Sequence, residues 1–577
     1  MRTMRFLLIV MLSAPGALAL AGDDEQGDIR ETVDLPRHAV RVAPGAPVAA
    51  PIAARAEGVP EDPENADTIE EVAVPVRDHV PPPADVEGPM PAVDPVPDGV
   101  TDWRWVRPVP RTLGLLRDAA VVDVEFTVPV TRAEVAALTV DPGLLIANGR
   151  VDEIDIRPSQ RGTWVDLEDG GRVWTMAFVS ETADWMRFRI DPFVLPPGAQ
   201  LVLFSATQPE YSYGPYTEAS AIHNAFWTPL VFGSEARLEL YVPADAEIAD
   251  IDAVLRITRV VQGFNPPAAD GGDKGGGPDN PLACQLDVMC DATWNGLAPG
   301  VAHIQFVSGG GSFICTGSMV NRLNSDLARI FLTAAHCINS ESEANSMVAF
   351  WFYQSDSCNG TVPPLGSVPQ TSGATLLATK TITDVTILGL TDDIPGGMLW
   401  EGWDVNSIPF GTPGVLIHHP QGVRKSISYG VYEGRDDNNC SAGSYQYRLD
   451  LTDGGQEGGS SGCPGFDSNQ RTRTVATCSQ SGCSPGENTW EGSLPDSYDV
   501  LQPFWDPQTT VWVDIGYGGT EKGTAAQPWD TIIEGYYGVL SGGTINIDAG
   551  TYPAQIIRGY RRNMLLRGVN GSVLIGG

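Results

Sequence analysis

The chain has 577 residues, 42% of them apolar, and a formal charge of −36. That length accommodates three or more domains at roughly 100–200 residues each, and the apolar share is enough to build cores. So acidic a chain repels phosphate, which excludes nucleic acid as an expected partner.

The chain opens M-R-T-M-R-F-L-L-I-V-M-L-S-A-P-G-A-L-A-L-A-G. Arg2 and Arg5 precede an apolar run from Phe6, and small-x-small sites end at Ala19 and Ala21. The pattern predicts a secretory signal peptide over residues 1–21, and hence a secreted or cell-surface protein. A membrane anchor needs about 20 apolar residues. The run here is shorter, and Asp23, Asp24 and Glu25 follow at once. No later segment is long and apolar enough to span a membrane.

Residues 22–101 are rich in Pro, Ala, Val, Asp and Glu, as in HVPPPADVEGPMPAVDPVPDGV. Proline at that density opposes both helix and central strand, so an extended linker or pro-segment is expected. Residues 102–263 change to period-two patterns. In VVDVEFTV, Val122, Val124, Phe126 and Val128 alternate with polar residues. WMRFRI does the same with Met186, Phe188 and Ile190 against Arg187 and Arg189, and RLELYV with Leu238, Leu240 and Val242. Half-buried strands separated by Pro/Gly turns predict a β-sandwich. A Gly/Pro-rich break follows over residues 264–281 and is a natural site for proteolysis.

All nine cysteines lie between Cys284 and Cys483. They mark residues 282–507 as one disulfide-stapled domain of an oxidising compartment. Beyond it, residues 508–577 read differently. Ile532, Ile533, Tyr536, Tyr537 and Leu540 have helical spacing, and short strands with glycine turns follow, spaced like the coils of a solenoid. The chain stops at Gly577 with no capping element, as expected of an incomplete solenoid.

The stapled domain carries the chemistry. Serine is a weak nucleophile, and needs a base at its hydroxyl, a carboxylate to orient that base, and donors for the oxyanion. In GGSSGCP, Gly459 and Gly462 bracket Ser461, and the amides of Gly459 and Ser461 can converge on a carbonyl oxygen. Glycine leaves no Cβ to block that approach. In LTAAHC, Ala334 and Ala335 leave room around His336, and Cys337 can tie the corner down. His303, His418 and His419 are its rivals in the domain. In DVTILGL, Asp384 precedes an apolar strand and can be buried against an imidazole. The adjacent His418 and His419 point to opposite faces of a strand and cannot easily share an ion, and no calcium loop is present, so no metal is expected.

FICTGSMV, FLTAAHC, DVTILGL and EGGSSGCP occur in that order, and the domain resembles the chymotrypsin-like serine endopeptidases. ACQLDVMC, WEGWDVNSIP and VLIHHPQGVRKSIS make it most similar to the bacterial lysyl endopeptidases. The resemblance implies an all-β domain of two six-stranded barrels, with the site in the cleft between them. It implies His336 as general base, Asp384 as orienting acid, Ser461 as nucleophile, and the amides of Gly459 and Ser461 as oxyanion hole. It implies protein or peptide substrates and no cofactor. It implies the bridges Cys284–Cys483, Cys290–Cys358 and Cys315–Cys337. Cys440, Cys463 and Cys478 are left over. Cys463 either pairs with Cys478 across a hairpin or stays a buried thiol. The trypsin-like specificity position, six residues before Ser461, is Gly455 and carries no charge. The lysyl subfamily places its aspartate after the nucleophile, in a loop resembling SLPDSYDV, which implies Asp496 in the pocket and cleavage after Lys; Asp453 is its rival.

The flanks carry resemblances of their own. GPYT at 214–217 and WTP at 227–229 are similar to the pro-regions of such endopeptidases. GTAAQPWDTI and GGTINIDAGTY resemble the opening of a right-handed parallel β-helix, which implies a surface for polysaccharide contact. The competing class is a cell-surface adhesin whose protease-like domain no longer cuts. The intact set of Asp384, His336 and Ser461 argues against it.

Overall fold

The computed structural model describes residues 6–8, 88–93, 124–125, 130–139, 145–205, 212–220, 224–265, 284–436, 445–480, 488–553, 557–559 and 564–575. Most of the signal segment, of the proline-rich stretch and of the glycine-rich break lies outside these residues, as do Cys440 and Cys483.

The N-terminal unit is built from β1 (Ile146–Ile156), β2 (Arg172–Val179), β3 (Trp185–Phe193), β4 (Gln200–Ser205), β5 (Glu235–Val242) and β6 (Leu255–Gly263). β5 lies between β2 and β4 in one sheet, and β6 between β1 and β3 in the other. The alternating residues of the sequence meet in one core. Met186, Phe188 and Ile190 of β3 face Trp174, Met176, Leu238 and Leu240. Removing such side chains from water at about 25 cal/mol per Å² is the main stabilising term of a sandwich.

The other face of β3 departs from expectation. Period two predicts Arg187 on the wetted side, yet Arg187 is fully buried, its guanidinium 5.0 Å above the Trp227 ring. That face is covered by the next domain: Trp185, Trp227 and Phe232 pack with Val307, Val348 and Phe350. The cover is continuous because β1 pairs antiparallel with a strand of that domain, Gly149 opposite Ser312 and Arg150 opposite Gly311.

The first barrel of the stapled domain comprises β7 (Val301–Ser308), β8 (Gly311–Met319), β9 (Ile330–Thr333), β10 (Val348–Phe350), β11 (Gln370–Ser372), β12 (Ala374–Lys380) and β13 (Val385–Leu390). The order β11-β10-β7-β8-β9-β13-β12 closes because β11 runs into β12 through Gly373. With that pair read as one bent strand, this is a six-stranded barrel. The second barrel comprises β14 (Thr412–His418), β15 (Ser426–Arg435), β16 (Gln446–Asp453), β17 (Pro464–Phe466), β18 (Arg471–Ser479) and β19 (Asn488–Ser493). It closes through β15–β16. The expected all-β double barrel is the fold.

Helix α1 (Leu494–Trp505) follows β19 and corrects one expectation. SLPDSYDV is the start of a helix, where a loop was expected. Ser493 is its N-cap and accepts from the Asp496 amide, with Pro at the start of the first turn, a strong helix-start signal. The C-terminal segment contains β20 (Gln508–Val513), α2 (Ile532–Gly538), β21 (Val539–Tyr552) and β22 (Leu565–Ile575). The helical spacing is realised in α2, with Leu540 just beyond it in β21. The three strands pair in parallel. The segment docks on the first barrel. The Tyr537 hydroxyl donates to the Leu390 carbonyl at 3.1 Å, and the buried Arg322 donates to the carbonyls of Tyr537, Val539 and Phe504 while paired with Asp326.

Candidate active site

β9 ends at Thr333, and the next turn presents His336 at the barrel rim, its side chain 10% exposed. Asp384 stands just before β13 and is almost wholly buried. Since β9 and β13 pair, the two residues come to the same end of the barrel. The Asp384 carboxylate grips His336 twice: Oδ2 lies 2.7 Å from Nδ1, and Oδ1 accepts from the His336 amide at 2.7 Å. The Asp384 carbonyl also accepts from the Ala335 amide at 3.1 Å. Asp384 has φ +57°, a left-handed backbone uncommon outside Gly, Asn and Asp. Helix α1 backs this loop, with the Ser497 hydroxyl 2.7 Å from that of Thr383.

Ser461 comes from the second barrel, in the turn before β17. Its carbonyl accepts from the Thr316 amide at 2.7 Å. Cys315, the neighbour of Thr316, is disulfide-bonded to Cys337, the neighbour of His336. This chain of contacts brings the serine turn and the histidine turn to one seam between the barrels. The glycines are needed there. Gly462 has φ +84°, and a Cβ on it would lie 2.2 Å from the Thr316 carbonyl and 2.3 Å from Thr333 Oγ1. Gly459 has φ +91°, and a Cβ there would lie 2.9 Å from the His419 carbonyl. The Gly459 amide makes no hydrogen bond within the described residues, while its carbonyl accepts from Thr316 Oγ1 at 2.8 Å.

Two serines stand side by side, and the structure separates them. Ser460 is fully buried, its hydroxyl 2.7 Å from Nδ1 of His418, whose Nε2 is 2.9 Å from Ser428 Oγ. Among the described residues no carboxylate orients that histidine, and burial lowers its pKa to about 3. Ser461 is 4% exposed, with its hydroxyl 3.5 Å from the Thr477 carbonyl of β18. His419 turns the other way, stacked on Tyr353 at 6.0 Å and 5.6 Å from the ring of His303. The adjacent pair thus diverges.

Cys290–Cys358 and Cys315–Cys337 are bonded as expected. Cys284 and Cys478 are each disulfide-bonded too, and Cys483, the partner expected for Cys284, lies outside the described residues. The pairing of Cys463 with Cys478 is corrected: Cys463 is a free, buried thiol facing Leu416, Tyr432 and Ala476. The structure also gives Asp496 a local duty. Its carboxylate pairs with Arg435 and accepts from Ser493 Oγ, so its charge is already neutralised. Asp453 ends β16 in an exposed position and accepts from the Gly454 amide. A third carboxylate, Glu491 of β19, is wholly buried. Sequence reading passed over it, because a lone Glu in TWEGS carries no visible signal.

Two family descriptions match the chain. The lysyl endopeptidase C-terminal domain matches residues 279–499, and the lysyl endopeptidase N-terminal domain residues 144–260. A lysyl endopeptidase of Pseudomonas aeruginosa is 28% identical over 374 residues, covering 59% of this chain and 76% of the relative. Among solved structures, the HtrA-type protease AlgW with a tripeptide is 18% identical with a TM-score of 0.27 and covers 37% of this chain and 62% of that one. A protease of M. tuberculosis in its active form is 14% identical with a TM-score of 0.27, covering 38% and 87%. Among the described residues, no helix is long and apolar enough to cross a membrane.

Proposed function

The chain is a lysyl endopeptidase-like serine endopeptidase, and from that premise we propose that it is an exported precursor that cleaves after lysine through Ser461, His336 and Asp384. The observation that carries this reading is the double grip of Asp384 on His336. With a carboxylate on Nδ1, the imidazole keeps its proton there and turns an unprotonated Nε2 outward. That nitrogen takes the Ser461 proton as Oγ attacks the scissile carbonyl, and returns it to the leaving amine. The buried Asp384 stabilises the imidazolium that forms between these events. The amides of Gly459 and Ser461 receive the oxyanion, and such donors are worth about 10²–10³ in turnover each. Thr316 of the first barrel holds the serine turn at two points, through its amide to Ser461 and its hydroxyl to Gly459.

The N-terminal unit acts as the pro-region in this reading, and the glycine-rich break is where maturation cuts. The signal pattern at residues 1–21 supports export. The test is direct. The chain from Asp23 onward is expressed and left to mature, and the cleavage sites that it makes in a denatured protein are read by mass spectrometry. Cuts confined to the carboxyl side of lysine are expected, with a new amino terminus between Pro266 and Pro281. Cuts after apolar residues would remove the lysine reading while leaving the catalytic one in place.

A further inference from the structure

We propose that Glu491 is the counter-charge that receives the lysine ammonium. The inference rests on the lysine reading above and names the residue that sets it. Four observations lead from Ser461 to Glu491. The Ser461 hydroxyl touches the Thr477 carbonyl at 3.5 Å, so β18 runs along the nucleophile. Two residues on, Ser479 Oγ donates to the Gln456 carbonyl at 3.0 Å, tying β18 to the strip that leads into the serine turn. β19 pairs with β18 on its far side, with Thr489 opposite Ser479 and Glu491 opposite Ala476, so Thr489 and Glu491 share one face of the sheet. Ala476 in turn exchanges hydrogen bonds with the turn itself, accepting from the Gly462 amide at 2.7 Å and donating to the Cys463 carbonyl at 2.8 Å. Glu491 therefore lies one strand behind the nucleophile.

Its chemistry fits the role. Both carboxylate oxygens are buried and lack a well-formed hydrogen bond among the described residues, with only the side chains of Thr489 and Gln456 close enough to ease its charge. Both of these side chains are neutral, and no cation among the described residues faces it. Burial accordingly raises its pKa to about 8. A lone buried carboxyl is costly to the fold unless a partner arrives. Asp496 differs on this point, since Arg435 already neutralises it, and Asp453 is exposed. A lysine side chain brings the missing cation.

The test compares ester substrates that differ only in lysine or its uncharged isostere norleucine at the cleavage site. Rates are taken per active site, titrated with a small organophosphorus reagent so that folding yield drops out. Wild type is expected to prefer lysine. Glu491→Gln should lower that ratio by about 100- to 10,000-fold, with Glu491→Met as the second uncharged variant. Asp496→Asn and Asp453→Asn should leave the ratio within about threefold, the level expected of charges outside the pocket. A lysine preference that survives in Glu491→Gln, or disappears in Asp496→Asn, overturns the assignment and leaves the lysine reading intact. A wild type without lysine preference overturns both. If neither Glu491 variant yields titratable enzyme, a crystal structure of wild type with a peptide ending in lysine aldehyde decides: Nζ stands within salt-bridge distance of Glu491, or the proposal is wrong.

Discussion

The two barrels divide the work unequally. The first holds His336 and Asp384 and is braced on both flanks, by the β1–β8 ladder on one and by Arg322 and Tyr537 on the other. The second holds Ser461 and Glu491 and depends on its own closure and on the seam. The Asp384–His336 pair, the proposed acid–base pair, is thus a fixture of paired strand ends. Ser461, the proposed nucleophile, sits in a turn shaped by glycines with positive φ and by atoms borrowed from the first barrel. The difference suggests that loss of chemistry follows from either barrel, but that loss of fit starts in the second.

The sharpest way to test this division is the nucleophile. Ser461→Ala should abolish peptide hydrolysis, by about 10⁶-fold in turnover, while leaving the fold unchanged. Ser460→Ala should be far milder, since its hydroxyl serves His418. A dead Ser460→Ala beside a working Ser461→Ala would shift the nucleophile by one position. The first barrel is tested by Asp384→Asn. Asparagine tolerates the φ of +57°, so the loop should survive. Turnover should fall by about 10⁴-fold through the wrong imidazole tautomer. Retained activity would move the role to Asp392 or Asp393.

Much of this was legible in the sequence, for physical reasons that vary by site. His336, Asp384 and Ser461 each sit in a word whose small or apolar neighbours are what the geometry requires, as the forbidden Cβ at Gly462 shows. The sandwich core was legible because Met186, Phe188 and Ile190 keep strict period two. What covers the opposite face was not, because pairing of Gly149 with Ser312 spans more than 160 residues and leaves no local trace. The Cys463 pairing failed since cysteine count alone cannot choose partners. What pairs with Asp496 was not legible, because Arg435 lies at the end of β15, 61 residues earlier.

Acid should destabilise both barrels through their buried histidines. His303 of the first barrel and His418 and His419 of the second are buried and neutral. Desolvation lowers His303 and His418 to about 3, and His419 well below 6.5. Below pH 6.5 the unfolded chain takes up protons that the native state refuses, so stability is lost as pH falls from about 6.5 toward 3. Glu401 and Glu491, raised to about 8, oppose this: the native state holds their protons first, and stability rises as pH falls toward 4.5. Below 4.5 that opposition is complete and the histidines act alone among these buried groups. Each contributes a slope of about 1.4 kcal/mol per pH unit. Denaturant titrations at pH 4.5, 4 and 3.5 should show a steeper loss than between pH 6.5 and 4.5. His303→Phe should flatten the slope by about one proton, and an unchanged slope would show that His303 does not titrate on unfolding.

The smallest expected effect concerns the brace on the first barrel. The β1–β8 ladder and the Trp185 cluster do not depend on the glycine-rich break. Once that break is cut, the N-terminal unit should remain bound until diluted or digested. Arg187 weakens this contact: it is buried at the interface, has no hydrogen-bond partner among the described residues, and rests on Trp227 alone as a cation–π contact. Its pKa falls to about 9 through desolvation. Replacing an unpaired buried charge by an apolar side chain of similar length is neutral or stabilising by about 1–4 kcal/mol. Arg187→Met should therefore slow release of the cut N-terminal unit by about fivefold at the lower bound of that range. Size-exclusion chromatography of the nicked protein, followed over time, reads the rate. Faster release in Arg187→Met would mean that the guanidinium holds the interface together. The cation–π contact would then outweigh the cost of burying the charge, and the brace would be strongest where it now looks weakest.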